Sequence, residues 1–199
     1  KTLQNKGNDI TPEEAEAVYA AIFLHDVGHG PFSHTLEDFF YKEISHEDIG
    51  IAIIEKLNEE FGGKLNLTIE ILKNTYHKKF LHELVSGQLD MDRLDYLRRD
   101  SFFTGVSEGN IGSARIIKML NIKDGKLVVE AKGIYSIENF LMSRRLMYWQ
   151  VYLHKTAFAA ELMLCNTLER ARYLVQKGEN IFAPDNLMYL LKKQPEKIT

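Results

Sequence analysis

The stretch Leu24-His25-Asp26-Val27-Gly28-His29-Gly30-Pro31-Phe32-Ser33-His34 constrains this chain more than any other. Three histidines and an aspartate fall within ten positions, beside two glycines and a proline that stop a helix and turn the chain back. Imidazole nitrogens and a carboxylate at this density suit a divalent cation better than an apolar core, and glycines let backbone and ligand approach closely. The plainer alternative is a polar inter-helix loop whose histidines cap helix ends.

With 199 residues, 45% hydrophobic and 27% charged, the chain can bury a sizeable core as one domain spanning residues 1–199, or as one domain plus a small appendage. A formal net charge of -3 offers nucleic acid no general attraction, so nucleic acid is not expected as the main partner and phosphate binding must come from local clusters. Cys165 is the sole cysteine, which rules out an intrachain disulfide and fits a reducing compartment. No apolar run nears the roughly 18 residues of a membrane span. A cytoplasmic location is expected. The chain begins at Lys1 and meets its main motif early, so a fragment lacking an upstream helix and a C-terminal region is expected.

Residues 1–10 read as a polar loop. Thr11-Pro12-Glu13-Glu14 supplies an N-cap, a first-turn proline and a capping-box glutamate for a helix running to about Val27, with Val18, Ala21, Ile22 and Leu24 inward. Adjacent helical residues point about 100° apart, so His25 and Asp26 can share an ion only at a helix end. Ser33 is expected to cap a short helix carrying Leu36, Phe39 and Phe40. A helix over about 49–61 ends at Gly62-Gly63, and a weaker helix covers about 66–80, with His77-Lys78-Lys79 as a solvated corner. A short helix or strand lies around 116–122. Asp124-Gly125 predicts a hairpin turn before the strand-like Leu127-Val128-Val129. A long helical pattern over about 136–176, kinked or split, closes at Gly178, and a short helix over about 184–191 precedes a solvated lysine-rich end. The fold class is therefore all-α with one small β-hairpin.

Two stripes carry further chemistry. Asp92, Tyr96 and Asp100 stand at i, i+4 and i+8 of one helix. They form either a solvent face paired with Arg93, Arg98 and Arg99, or a metal, phosphate and hydroxyl site at Asp92, Arg93 and Tyr96 with Asp100. Arg144, Tyr148, Tyr152 and Lys155 trace a second stripe, which is either a packed aromatic seam or a surface for a phosphorylated ligand with a sugar or base.

Taken with His46-Glu47 and Asp90-Met91-Asp92-Arg93-Leu94-Asp95-Tyr96-Leu97-Arg98-Arg99-Asp100, the opening stretch resembles the HD-domain phosphohydrolase superfamily. It is most similar to the deoxynucleoside triphosphate triphosphohydrolase branch, which includes the SAM-and-HD-domain enzyme and bacterial relatives. The similarity covers about residues 17 to 165. It implies a helical HD bundle with metal ligands His25, Asp26 and Asp92, the family's first histidine having no counterpart here. It also implies His29, His34 and His46 around the phosphates with Glu47 supporting, and Glu37 where the family often has Asp. Arg93 and Arg144 would contact phosphate, and Tyr96 and Asp100 the deoxyribose 3′-hydroxyl. Tyr152 would pack on the sugar edge, and Tyr148 stands where the human enzyme has His.

The resemblance further implies hydrolysis of dNTPs at the α-phosphorus with Mg, Mn or Fe, zinc fitting less well, in a homo-oligomer, a dimer or tetramer. His34 is the expected acid for the leaving oxygen, with His46 and Glu47 the alternative pair. The rival functions are an HD nucleotidase or other phosphoesterase, and a non-catalytic nucleotide-binding regulatory module.

Overall fold

A computed structural model describes residues 1–40 and 44–192, the side chains of Asp38 and Phe40 excepted. The expected solvated end at 193–199 and the placement of the Phe40 ring lie outside the described residues. The fold is helical with one two-stranded antiparallel hairpin, as the pattern predicts. By contacts the chain divides into two compact units, Lys1–His25 with Leu57–His154, and Asp26–Lys56 with Lys155–Thr199.

In the first unit, α1 (Thr2–Asn5) occupies part of the segment expected to be a loop, because Leu3 is buried and holds it down. Helix α2 (Pro12–Leu24) starts as predicted: Thr11 accepts a hydrogen bond from the Glu14 N–H, and Glu14 accepts one from the Thr11 N–H. It ends at Leu24, three residues short of the expected Val27. The predicted helix over 66–80 is two helices, α5 (Asn66–Leu72) and α6 (Lys79–Val85). Ala17, Ala21, Ile71, Phe80, Leu81 and Val85 from α2, α5 and α6 form one core. Each fully buried Leu or Ile there contributes about 1.5–3 kcal/mol.

Lys78 is not a solvated corner. Its ammonium lies 2.9 Å from Glu14 and 3.1 Å from Asp9, and Glu14 is 3% exposed. A carboxylate that deep requires a cation or donors, and the Tyr76 hydroxyl donates to it as well, at 2.7 Å.

Helix α7 (Met91–Thr104), α8 (Ser113–Met119) and α9 (Ile134–Met147) enclose the second core of this unit, with Leu94, Leu97, Ile111, Ile116, Phe140 and Met147 at its centre. Residues 116–122 are both helix and strand, because α8 runs directly into β1 (Leu120–Lys123). Strand β1 pairs with β2 (Lys126–Val129) in the register Leu120 to Val129 and Lys123 to Lys126. Asp124 and Gly125 both have positive φ, 53° and 74°, the geometry of the predicted two-residue turn. The long helical pattern breaks after α9, where Tyr148–Tyr152 forms a π-helical turn.

In the second unit, a 3₁₀ turn (Ser33–Leu36) and α3 (Glu37–Phe40) follow the glycine-rich turn. Ser33 does not cap. It lies inside the turn at φ 45°, after Phe32 at φ 61°, two non-glycine residues in left-handed backbone where the chain reverses. Helix α4 (His46–Glu60), which belongs to this unit as far as Lys56, is preceded by Ser45, whose Oγ accepts from the Asp48 N–H at 3.1 Å. Gly28 packs against its first turn so closely that a Cβ would lie 2.0 Å from the His46 carbonyl oxygen and 2.4 Å from the Gly50 nitrogen. Helix α10 (Lys155–Gln176) and α11 (Asp185–Lys192) build a core with Leu36, Phe39 and Leu191. No helix among the described residues is long and apolar enough to cross a membrane.

Candidate functional site

His25 is the C-cap of α2. Its Nδ1 lies 2.8 Å from the Ile22 carbonyl, which can only accept, so Nδ1 carries the proton and the neutral ring has its lone pair on Nε2. That nitrogen sits 3.6 Å from Asp92 Oδ1. The gap is too long for a hydrogen bond. Two donors each about 2.1 Å from one ion, at angles of about 90–120°, lie about 3.0–3.6 Å apart, so the spacing suits a shared cation. Histidine ligands of metals commonly donate their other N–H to a carbonyl, as here. Asp26 follows His25 in the chain and opens the second unit.

Asp92 lies in the first turn of α7, a helix capped by Asp90. Arg93, the next residue, is tied to Asp90 and to the Gly87 carbonyl. Further along α7 the two predicted stripes meet. The Tyr152 hydroxyl donates to Asp100 Oδ2 at 2.6 Å, and burial together with that bond pushes the phenol pKa up. Tyr152 stands edge-on to Tyr96 and Tyr148, with centroids 6.0 and 5.1 Å away. Burial, reinforced by Tyr148, also raises the Tyr96 pKa. Arg144 Nη1 donates to Gln88 Oε1 at 3.3 Å, and the Arg144 guanidinium lies 5.9 Å from the Tyr148 ring centre.

Of the arginines in the solvent-face reading of α7, Arg99 pairs with Asp95, a residue outside the stripe, in an exposed pair at 2.8 Å. Asp100 instead meets Tyr152. The aromatic-seam reading is also realised in part, since Tyr96 and Tyr152 pack against the core beneath them.

The second unit gathers three histidines whose ligand atoms all lie within 4.8 Å of one another: His29, His34 and His46. His29 stacks on His46 with ring centres 4.0 Å apart, and His34 stands edge-on to both. Burial, then repulsion from His46, lowers the His29 pKa, with Asp26 Oδ1 3.6 Å away opposing. The carboxylate that organises this group is Glu37. Its Oε1 accepts from the His46 N–H at 2.6 Å and faces His46 Nδ1 at 2.9 Å, while Oε2 lies 3.4 Å from His34 Nδ1. Glu47 is exposed in the first turn of α4, and the carboxylate engaging His46 is Glu37. Burial opposes ionisation of Glu37, but the His46 and His34 hydrogen bonds outweigh it and hold its pKa down at about 2.

Two residues of this region had no assigned role in the sequence reading. Asp90 is 1% exposed, and its signal was a helix-start carboxylate three residues before Arg93. Gln88 had no local signal, because its partner Arg144 is 56 positions away.

Residues 2–100 match the HD domain family, and residues 111–188 match the HD associated region. The chain belongs to the HD-domain family. A phosphohydrolase from Bacteroides thetaiotaomicron superposes with a TM-score of 0.94 at 61% identity, over 98% of this chain and 49% of that one. An uncharacterised Bacillus subtilis protein is 38% identical over 83% of this chain and 39% of its own length. A Dictyostelium discoideum homologue of the deoxynucleoside triphosphate triphosphohydrolase SAMHD1 is 25% identical over 92% of this chain and 38% of its own length. The chain thus spans less than half the length of each of these relatives. HD domains bind divalent metals, and the nitrogen and oxygen donors of His25 and Asp92 are of the type such an ion takes.

Proposed function

We propose that this chain carries the active centre of a metal-dependent phosphohydrolase that cleaves deoxynucleoside triphosphates at the α-phosphorus. The products are a deoxynucleoside and inorganic triphosphate. The observation that carries this reading is the 3.6 Å approach of His25 Nε2 to Asp92 Oδ1, with His25 Nδ1 already engaged by a carbonyl. In this reading His25, Asp26 and Asp92 hold a divalent ion, and a shell of mixed nitrogen and oxygen donors favours Mg, Mn or Fe. Such an ion, when bound, lowers the pKa of water and neutralises phosphate charge.

Arg93 and Arg144 meet the negative charge that develops on the phosphate oxygens, with His29 supporting. As the water oxygen bonds to phosphorus, the bond to the 5′-oxygen breaks and His34 protonates the departing oxygen. His46, oriented by Glu37 rather than Glu47, is the alternative acid. Asp100 and Tyr96 take the sugar 3′-hydroxyl. Tyr152, fixed by its bond to Asp100, lies against the sugar edge, with Tyr148 beside it among the substrate-binding residues. The relatives support the substrate class through the Dictyostelium homologue and the general chemistry through the Bacteroides phosphohydrolase. A cytoplasmic location and a dimer or tetramer are part of the same reading, the oligomer being supported by the exposed apolar side chains Tyr135 and Leu141 on α9 and Trp149 on its π-turn.

The test is chromatographic product identification on a panel of dNTPs, NTPs and dNMPs, with elemental analysis of the protein. Inorganic triphosphate appearing from dNTPs bears the proposal out. Phosphate released from dNMPs with dNTPs untouched overturns it in favour of a nucleotidase, and nucleotide binding without turnover overturns it in favour of a regulatory module.

A further inference from the structure

The connection between α6 and α7, residues 86–90, touches both of the arginines assigned to the phosphates. Asp90 is 1% exposed, and a carboxylate that deep has to be satisfied from within. Its Oδ1 accepts the Arg93 N–H at 2.7 Å, and its Oδ2 accepts the Gly87 N–H at 2.9 Å. Arg93 Nη1 donates to the same Oδ2 and, at 2.7 Å, to the Gly87 carbonyl. One carboxylate therefore fixes both the first turn of α7 and the guanidinium that projects from it.

The bend itself admits no side chain at Gly87, where a Cβ would come 2.6 Å from the Glu83 carbonyl oxygen. The next residue, Gln88, accepts Arg144 Nη1 at 3.3 Å from a helix far along the chain. A guanidinium has five N–H donors in a rigid fork, so fixing one nitrogen orients the others.

We propose that residues 86–90 act as the holder of an anion clamp, with Asp90 and Gln88 as positioning residues for Arg93 and Arg144. The clamp presents the remaining guanidinium N–H groups to a linear polyphosphate. The proposal rests on the phosphohydrolase reading for the identity of the anion, while the holder is defined by the contacts alone. Preorganised arginines bind without first losing side-chain freedom, so loosening the holder should weaken ground-state binding before it slows chemistry.

Inorganic tripolyphosphate titrated calorimetrically into the full chain tests the clamp without turnover, and steady-state kinetics on dNTPs test it in action. Asp90→Asn is expected to weaken tripolyphosphate binding about tenfold and Gln88→Ala about threefold, with KM rising in step and kcat changing less. Gln88 is exposed, so Gln88→Ala is expected to leave the melting temperature unchanged. Asp90→Asn should have no further effect in an Arg93→Ala background, nor Gln88→Ala in an Arg144→Ala background. Losses that simply add in both double variants, unchanged affinity in both single variants, or no tripolyphosphate binding at all would each overturn the proposal. Should Asp90→Asn fail to fold, the Gln88 and Arg144 cycle decides. Coupled tripolyphosphate binding without dNTP hydrolysis keeps the clamp and removes the substrate reading, whereas dNTP hydrolysis without coupling does the reverse.

Discussion

Glu37 Oε1 meets His46 twice, accepting its backbone N–H at 2.6 Å and facing its ring Nδ1 at 2.9 Å. A residue from α3 thereby satisfies one of the orphan donors at the start of α4 and sets the orientation of an imidazole.

This contact makes stability pH-dependent. The Glu37 pKa falls from its ordinary value of 4.5 to about 2, so the folded state favours the carboxylate. The stabilisation is full above about pH 4.5 and is lost as pH falls toward 2, with a magnitude on the order of 2 kcal/mol. Urea midpoints measured from pH 7 to pH 2 are expected to show wild type and Glu37→Gln converging below pH 4. A gap that stays constant across that range contradicts the assignment.

Gly28→Ala should be severely destabilising. A Cβ 2.0 Å from the His46 carbonyl oxygen forces backbone to move, for a cost of about 3 kcal/mol or more. Thermal melting is the check, and a variant within a degree or two of wild type would refute the packing.

Lys78→Ala removes the cation beside Glu14 and leaves that buried carboxylate with the Tyr76 hydroxyl and the Thr11 N–H. Breaking a buried pair costs about 3 kcal/mol. Protonating Glu14 removes much of the penalty, so the loss should be larger at pH 7 than at pH 4. Denaturant midpoints at the two pH values measure it, and an equal loss at both would show that Lys78 does not act through Glu14.

Asp92→Ala should empty the proposed cation site and lower dNTP hydrolysis by about a thousandfold or more. Because the side chain is 35% exposed, the melting temperature of the metal-free protein is expected to change little. Elemental analysis after gel filtration separates the outcomes: metal retained at the wild-type ratio would dismiss Asp92 as a ligand.

Local chemistry was legible in the chain. The capping box at Thr11 and Glu14, the Asp124-Gly125 turn and the chain reversal after His25 each depend on residues a few positions apart. Pairings across long separations were not legible. Nothing near Lys78 announces Glu14, 64 positions earlier, so a mixed-charge corner looked solvated. The split after α9 was expected, but not its π-helical form, because side-chain periodicity does not report which carbonyl an N–H chooses. At the candidate site, residue types marked His25, Asp92 and the histidine cluster. Glu37 was noted only for standing in place of an aspartate, and its hydrogen bonds to His46 join residues nine positions apart on two different helices, which no helical periodicity encodes.

The Gly28 packing also limits what genetics can do at this position. Its would-be obstacles are the main-chain atoms of His46 and Gly50 rather than a side-chain tip. A compensating change therefore cannot arise by trimming a neighbour. Revertants of a Gly28 substitution selected for restored folding should be true back-mutations, or lesions that shift the backbone of the first turns of α4.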